Sequence, residues 1–277
     1  VTVMWNYQPL EKLHSRYQTV KTMGSVPKWV QERQQHYCDT LPCRIHIISE
    51  DPDGLKGVKM DKVAKARKLS FPIIKPYIDA REGKQQWCIA AVPGVAWAKK
   101  MFPGLSKNQA VEKLWEAILS CARVNDDPIK AWEDHNKNLH DRCAYLNGLG
   151  IEKLHYTAAN GTDLTVGMIP EGRFCGGQET SKRNISFNPN IPSEEVFISP
   201  KKGIAEGLVV ASKPLSYRGE LIENFSIRFE DGKAVEVHAE KNEELLRKMI
   251  SMDEGAAYLG ECALVPFESP VNEAGVL

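Results

Sequence analysis

The sequence predicts an α/β protein: an N-terminal α/β domain with a mainly parallel sheet, followed by a β-rich α+β domain. Over the first 150 residues, short β-branched runs alternate with helical stretches, as in parallel sheets covered by helices. After residue 150, strand patterns and tight turns dominate, and one helix interrupts them. We therefore divide the chain into domains at residues 1–150 and 151–277.

Two apolar runs predict the strands of the N-terminal domain. Residues 44–49 form a β-branched run before a turn-prone segment, and residues 87–92 form a second run that ends at Pro93. Helical stretches follow these runs, at residues 59–69, 96–100 and 129–146. This alternation is typical of parallel strands joined by crossover helices.

The clearest helix begins at Ser106. Gln109 lies three residues later, so the pair forms a capping box. The apolar residues that follow repeat at the helical spacing of 3.6 residues, which indicates a stripe facing the core. They are Val111, Leu114, Trp115, Ile118 and Ala122.

A hairpin is the strongest signal in the C-terminal domain. Residues 221–230 alternate polar and apolar side chains, Asp231 and Gly232 form a tight turn, and residues 234–238 alternate again. Other strands are predicted at 154–157, 164–168, 208–211 and 259–266, with a helix at 243–251.

Charge and cysteine content restrict the class of protein. The chain has 36 Lys and Arg and 36 Asp and Glu residues, so its zero net charge argues against nucleic-acid or membrane-surface partners. The sequence has no run of 18 apolar residues, so no membrane span is predicted. Seven cysteines, an odd number without a Cys-x-x-Cys motif, predict reduced thiols in a cytoplasmic protein.

Common catalytic motifs are missing from the sequence. There is no phosphate-binding loop and no Gly-x-Ser-x-Gly motif, and the Gly176–Gly177 pair predicts a turn. His135 and His140 are five residues apart and do not share a helical face. We expect both histidines to be solvated or to cap a helix rather than to bind metal.

Three carboxylates lie in apolar, strand-like runs. Glu195 shares a face with Phe197, Glu194 lies on the opposite face, and Glu261 shares a face with Ala263. An ionised carboxylate in such a run is costly unless it is paired or binds a cation. Glutamates of this kind could bind a divalent metal that activates water. Alternatively, they could face solvent or pair with an arginine, and the residues alone leave both interpretations open.

One segment carries a resemblance to a known family. Residues 188–200 (NPNIPSEEVFISP) closely resemble a hallmark segment of the thermophilic metalloaminopeptidases, the aminopeptidase T and aminopeptidase S type. Further segments resemble the same family in the same order, and together with the first they cover nearly the whole chain. They are residues 96–103, 112–118, 161–167, 213–219 and 255–266.

The resemblance implies a cytoplasmic exopeptidase that removes N-terminal residues from peptides with a free N-terminus by means of metal-activated water. It implies two divalent ions, commonly cobalt or zinc, with magnesium or manganese as further candidates. It also implies a homodimer whose catalytic domain is the C-terminal one. Neither nucleic acid nor membrane is among the implied partners.

The resemblance also implies two metal ligands. The family's first metal-binding glutamate falls in the Ser-Glu-Glu-Val-Phe segment and its second in the Leu-Gly-Glu segment, and the separation usual in the family points to Glu195 and Glu261. Glu194 would alter that separation by one residue, and Glu254 by several. The family's other site residues, a His, a Tyr and a His-x-Asp pair, would lie beyond Leu277, so the catalytic residues are unknown.

We therefore expect this chain to be the middle of an aminopeptidase, lacking the start of the first domain and the end of the second. We expect the 277-residue chain alone to be inactive or to bind metal weakly. Two alternatives remain: a non-catalytic, truncated module for dimerisation or binding, and a mononuclear iron dioxygenase on a related fold. The amino-acid sequences of the two glutamate-containing segments resemble those of the peptidases, which favours the peptidase over the dioxygenase.

Overall fold

The computed structural model describes residues 1–217 and 219–275. Arg218, in the segment at 213–219, and residues 276 and 277 are outside the described part. The helices in chain order are α1 (Gln8–Tyr17), α2 (Val20–Met23), α3 (Lys28–Thr40), α4 (Met60–Arg81), α5 (Val95–Met101), α6 (Lys107–Cys121), α7 (Pro128–Gly148), α8 (Glu243–Ile250) and α9 (Pro270–Glu273).

The strands in chain order are β1 (Arg44–Ile48), β2 (Trp87–Ala91), β3 (Lys153–Thr157), β4 (Asp163–Met168), β5 (Glu179–Thr180), β6 (Ser186–Phe187), β7 (Val196–Ile198), β8 (Pro200–Val210), β9 (Leu215–Tyr217), β10 (Glu220–Glu230), β11 (Lys233–Lys241) and β12 (Cys262–Leu264). The mixture of helices and strands agrees with the predicted α/β class.

The chain divides into two compact units. The first contains Val1–Ala122 and Gln178–Pro192, and the second contains Arg123–Gly177 and the described residues from Ser193 onward. This division differs from the predicted boundary after residue 150.

Helix α7 accounts for the difference. Its buried residues Leu139 and Cys143 belong to the same hydrophobic core as Leu164 and Val166 of β4. A helix that buries its apolar face against a sheet belongs to the domain of that sheet. The second compact unit therefore begins at Arg123 with a helix, whereas its strands begin only after residue 150.

The first unit contains the predicted parallel strands. β1 pairs with β2 in parallel, from Arg44 opposite Trp87 to Ile48 opposite Ala91. The main chain at Asn190 forms a further parallel bridge to Ile89. α6 has the predicted capping box at Ser106. The parallel sheet predicted for this domain is thus present as two named strands within residues 1–217 and 219–275.

The second unit is built on an antiparallel sheet with strand order β11-β10-β8-β4-β3, and β9 pairs with the other end of β10. The predicted hairpin is confirmed as β10 and β11. Asp231 and Gly232 have φ values of 48° and 75°, so both turn residues have the left-handed backbone that this tight turn requires.

A short two-stranded ribbon, β7 with β12, lies in the same unit. Val196, Ile198 and Cys262 of this ribbon are buried in the core that also contains α7 and the large sheet. The ribbon is therefore fixed on one side by apolar packing, and its other side carries the side chains described below. In the described chain, no helix has the combination of length and apolar character that crossing a membrane requires.

Candidate metal-binding site

The β7–β12 ribbon brings the two predicted metal ligands to one face. Phe197 lies directly opposite Ala263 in the antiparallel register. Glu195 comes directly before β7, and Glu261 directly before β12. Because side chains alternate along extended chain, Glu195 lies on the face of Phe197 and Glu261 on the face of Ala263. The two carboxylates thus point to the same face from opposite ends of the ribbon, although they are 66 residues apart in sequence (261 − 195).

The two carboxylates are also coupled electrostatically. Glu195 is half-buried, and Glu261 is exposed. Burial, and second the negative charge of Glu261, raise the pKa of the Glu195 carboxyl. A cation near both groups would favour their charged forms. Carboxylate oxygens are ligands for zinc and for the harder divalent ions, so the chemistry of this pair fits a divalent metal.

Glu194 has a different environment. Its side chain is only 8% exposed and forms an ion pair with Arg123. Nη2 of Arg123 donates to Oε2 of Glu194 at 2.9 Å, and Nη1 donates to Oε1. Both carboxylate oxygens are thus engaged by one guanidinium group, the bidentate arrangement that arginine favours. This pairing supports Glu195, rather than Glu194, as the metal ligand.

The pair does not form a complete metal site by itself. Among the residues that the structure describes, no group of three or more His, Cys, Asp or Glu side chains is arranged to hold a metal ion. Zinc in proteins usually has about four ligands. The two predicted ligands, Glu195 and Glu261, are therefore fewer than such an ion requires.

His135 is neither solvated nor at a helix end, contrary to the expectation for its surroundings. Its side chain is 11% exposed, so it is not solvated. Its Nε2 lies 2.6 Å from the carbonyl oxygen of Ser193, to which the neutral ring donates, and its ring packs edge-on against Trp132. Nε2 is also 3.7 Å from Oε1 of Glu194. The sequence did not predict the contacts of His135 and Arg123, since their partners lie 58 and 71 positions away.

The environment of His135 also affects its protonation. Burial is the largest influence and lowers the pKa of the imidazole, and the positive charges of Arg123 and Arg142 lower it further. The hydrogen bond to Ser193 and the charge of Glu194 act in the opposite direction. The lowered pKa indicates that His135 is neutral near pH 7 and donates the hydrogen bond to Ser193.

Gly176 has a packing role that the predicted turn does not describe. A Cβ at this position would lie 2.5 Å from the carbonyl oxygen of Glu195 and 3.3 Å from Cα of Val196. The neighbouring Cys175 and Phe197 exchange two main-chain hydrogen bonds, each 2.8 Å long. β7 is therefore bonded on one edge to β12 and on the other to Cys175.

A small pocket of about 170 Å³ lies beside Glu194. Its lining includes Arg123, His135, Arg142, Glu194 and Ser269. Glu194 lies on the opposite face from Glu195, so this pocket marks the supporting side of the ribbon and not the side of the carboxylate pair.

Comparisons with known proteins identify the family of this chain. The family model described as thermophilic metalloprotease (M29) matches residues 1–277. The chain is 36% identical over 279 residues to aminopeptidase AmpS of Bacillus subtilis and 39% identical over 278 residues to aminopeptidase T of Thermus thermophilus. Each alignment covers all of this chain and 68% of the relative.

A solved structure gives the same result. Wild-type AmpT from Thermus thermophilus superposes with a TM-score of 0.89 and 38% sequence identity, covering all of this chain and 68% of that one. These similarities confirm the resemblance drawn from residues 188–200 and the other segments.

Proposed function

This chain belongs to the thermophilic metalloprotease (M29) family, and on that premise we propose that it acts as a metal-dependent aminopeptidase in which Glu195 and Glu261 bind metal. The observation that carries the assignment is the shared face of the β7–β12 ribbon, where the negative charge of Glu261 acts on a half-buried Glu195. The relatives named aminopeptidase support the activity.

The two glutamates have distinct parts in this function. Glu195 supplies oxygen ligands from a fixed position, because the chain on both sides of it is held by hydrogen bonds. Glu261 is exposed and supplies the ligands nearer to solvent, from which the peptide approaches. A bound divalent ion would lower the pKa of a coordinated water and polarise the scissile carbonyl group. The negative charge of the pair also favours approach of the positively charged N-terminus of a peptide.

The finer assignments rest on the sequence resemblance. We infer two divalent ions, cobalt or zinc, with magnesium or manganese as further candidates, a homodimer, and the second compact unit as the catalytic domain. A cytoplasmic location is supported by seven cysteines that are all free in the structure. Peptides with a free N-terminus are the proposed substrates.

The test follows hydrolysis of leucine p-nitroanilide by protein expressed from its natural reading frame. We expect a chelator to abolish release of the chromogenic amine, and cobalt or zinc to restore it. Glu195→Gln and Glu261→Gln should each lower kcat/KM by at least about 100-fold, because loss even of an outer partner of a metal site reaches that magnitude.

Glu254→Gln is the matched control, because Glu254 is an exposed glutamate seven positions before Glu261 (261 − 254). It should behave like the unmodified protein. Hydrolysis that survives the chelator, or that is equally fast in the Glu195→Gln and Glu254→Gln variants, would contradict the proposal. A requirement for oxygen would favour the dioxygenase alternative.

A further inference from the structure

We propose that Arg123 and His135 are positioning residues for the metal site, because they fix the two residues directly before Glu195. This inference rests on the proposed function, in which Glu195 binds metal.

The ion pair of Arg123 with Glu194 is the first fixed point. The two side chains are 18% and 8% exposed, so both charges are largely removed from water. The guanidinium group engages both carboxylate oxygens. A bidentate contact fixes the direction of the carboxylate as well as its distance, which a single hydrogen bond does not.

Arg123 directly follows Ala122, the C-cap of α6, at the position where helices often end with a left-handed residue. Arg123 has φ 57°, in the left-handed region that favours glycine. Glycine would adopt this conformation without strain but would have no guanidinium group for Glu194. Strained residues of this kind are often found at functional sites, where the surrounding structure holds them in place.

The hydrogen bond of His135 to the carbonyl oxygen of Ser193 is the second fixed point, at 2.6 Å. The ring is held in turn by Trp132, one turn earlier on α7, at 5.5 Å between ring centroids. α7 is itself fixed in the core through Leu139 and Cys143. The position of Ser193 is thereby tied to a rigid element of the fold.

The chain beyond these two points is also restrained. The carbonyl of Glu195 faces Gly176 at a distance that excludes any side chain there. Phe197 is hydrogen-bonded to Cys175 and lies opposite Ala263. With Ser193, Glu194 and Phe197 all held, the backbone of Glu195 has little freedom, and only its side chain can adjust to a metal.

A purely stabilising role predicts a different result. Replacing a buried ion pair by apolar residues of similar volume is often neutral or stabilising, so stability alone does not explain why charges lie here. Outer residues that orient a ligand typically change metal affinity by about 10- to 100-fold when they are replaced. Metal affinity and stability therefore separate the two roles.

The test compares two double variants with the unmodified protein, all expressed from the natural reading frame. Arg123→Met with Glu194→Met removes both buried charges together, so no charge is left unpaired. Arg228→Met with Glu236→Met is the matched control, because Arg228 and Glu236 form a half-exposed ion pair of 3.1 Å on the β10–β11 hairpin. The measurements are the Kd for Co²⁺ by calorimetry, the visible spectrum of bound Co²⁺, and Tm with chelator present.

We expect the first double variant to keep its Tm, to bind Co²⁺ about 10- to 100-fold more weakly, and to give an altered spectrum. His135→Gln, which keeps a donor for Ser193, should retain more affinity than His135→Ala. The control pair should leave the Kd and spectrum unchanged. An unchanged Kd and spectrum in a folded Arg123→Met/Glu194→Met variant would overturn the proposal.

Glu195→Gln separates this outcome from failure of the proposed function. If Glu195→Gln loses Co²⁺ binding while the Arg123→Met/Glu194→Met variant keeps it, the positioning role fails and the metal site stands. If Glu195→Gln itself binds Co²⁺ normally, the assignment of Glu195 as a ligand fails, and the positioning role fails with it.

Discussion

Replacing Gly176 with alanine would place a methyl group 2.5 Å from the carbonyl oxygen of Glu195. Close contacts between carbon and oxygen normally have separations of about 3.3–3.6 Å. The two backbone segments must therefore move apart by roughly 1 Å, and the segment that moves includes a proposed metal ligand. Gly176 has a backbone conformation that alanine can adopt, so this contact alone decides the cost.

The expected cost follows from two opposing effects. Forcing an extra methyl group into a packed position costs about 1–3 kcal/mol. Alanine also restricts the unfolded chain more than glycine does, which stabilises the folded protein by about 0.4–1 kcal/mol. From the middle of each range, the net destabilisation is about 1.3 kcal/mol, which at about 2–4 °C per kcal/mol lowers Tm by about 3–5 °C.

Two assays test this prediction on purified Gly176→Ala: thermal unfolding with chelator present, and the Kd for Co²⁺. Gly148→Ala is the control, because a Cβ there meets nothing within 4 Å, and alanine in a helix is favourable. We expect Gly176→Ala to lose both stability and metal affinity while Gly148→Ala loses neither. A Gly176→Ala protein with unchanged Tm and Kd would refute the packing argument.

Three further predictions concern the described contacts. Because burial lowers the pKa of His135 below its ordinary value of 6.5, the unfolded chain binds that proton more readily, so the free energy of unfolding should fall as pH decreases through about 6.5. Urea titrations between about pH 7.5 and about 5.5 should show a smaller fall in His135→Gln. Leu139→Ala, at a side chain that is 1% exposed, should cost about 3–5 kcal/mol in the same titration, and a cost below about 1 kcal/mol would be inconsistent with its packing. Ser106→Ala should cost about 1 kcal/mol through loss of its bond to the amide of Gln109, whereas a neutral effect would show that the cap is dispensable.

Local patterns in the sequence predicted those elements whose stabilising contacts are also local. The capping box at Ser106 and the Asp231–Gly232 turn involve residues only a few positions apart, and both are present in the structure. β1 and β2 were also predicted, because β-branched and apolar runs mark strands, although the two strands pair 43 residues apart (87 − 44). The compact units change before α7 and not after it, and nothing in the sequence of α7 shows which sheet it packs against.

The candidate site was predictable only in part. Glu195 and Glu261 were identified from the resemblance, and alternation along two strands explains why they share a face. The contacts of Arg123 and His135 depend on the tertiary fold, since they join residues 71 and 58 positions apart. The need for glycine at position 176 also depends on the tertiary fold, because the backbone of Glu195 passes beside it.

The alternation of Glu194 and Glu195 has a consequence for changing the length of this segment. Two chemically identical side chains occur in succession, and only the direction in which each points separates a structural carboxylate from one available to a metal. Inserting or deleting one residue between Ser193 and Val196 would exchange their directions. Engineering of this enzyme for new substrates can therefore vary side chains on the open face of the ribbon, but the number of residues leading into β7 must remain fixed.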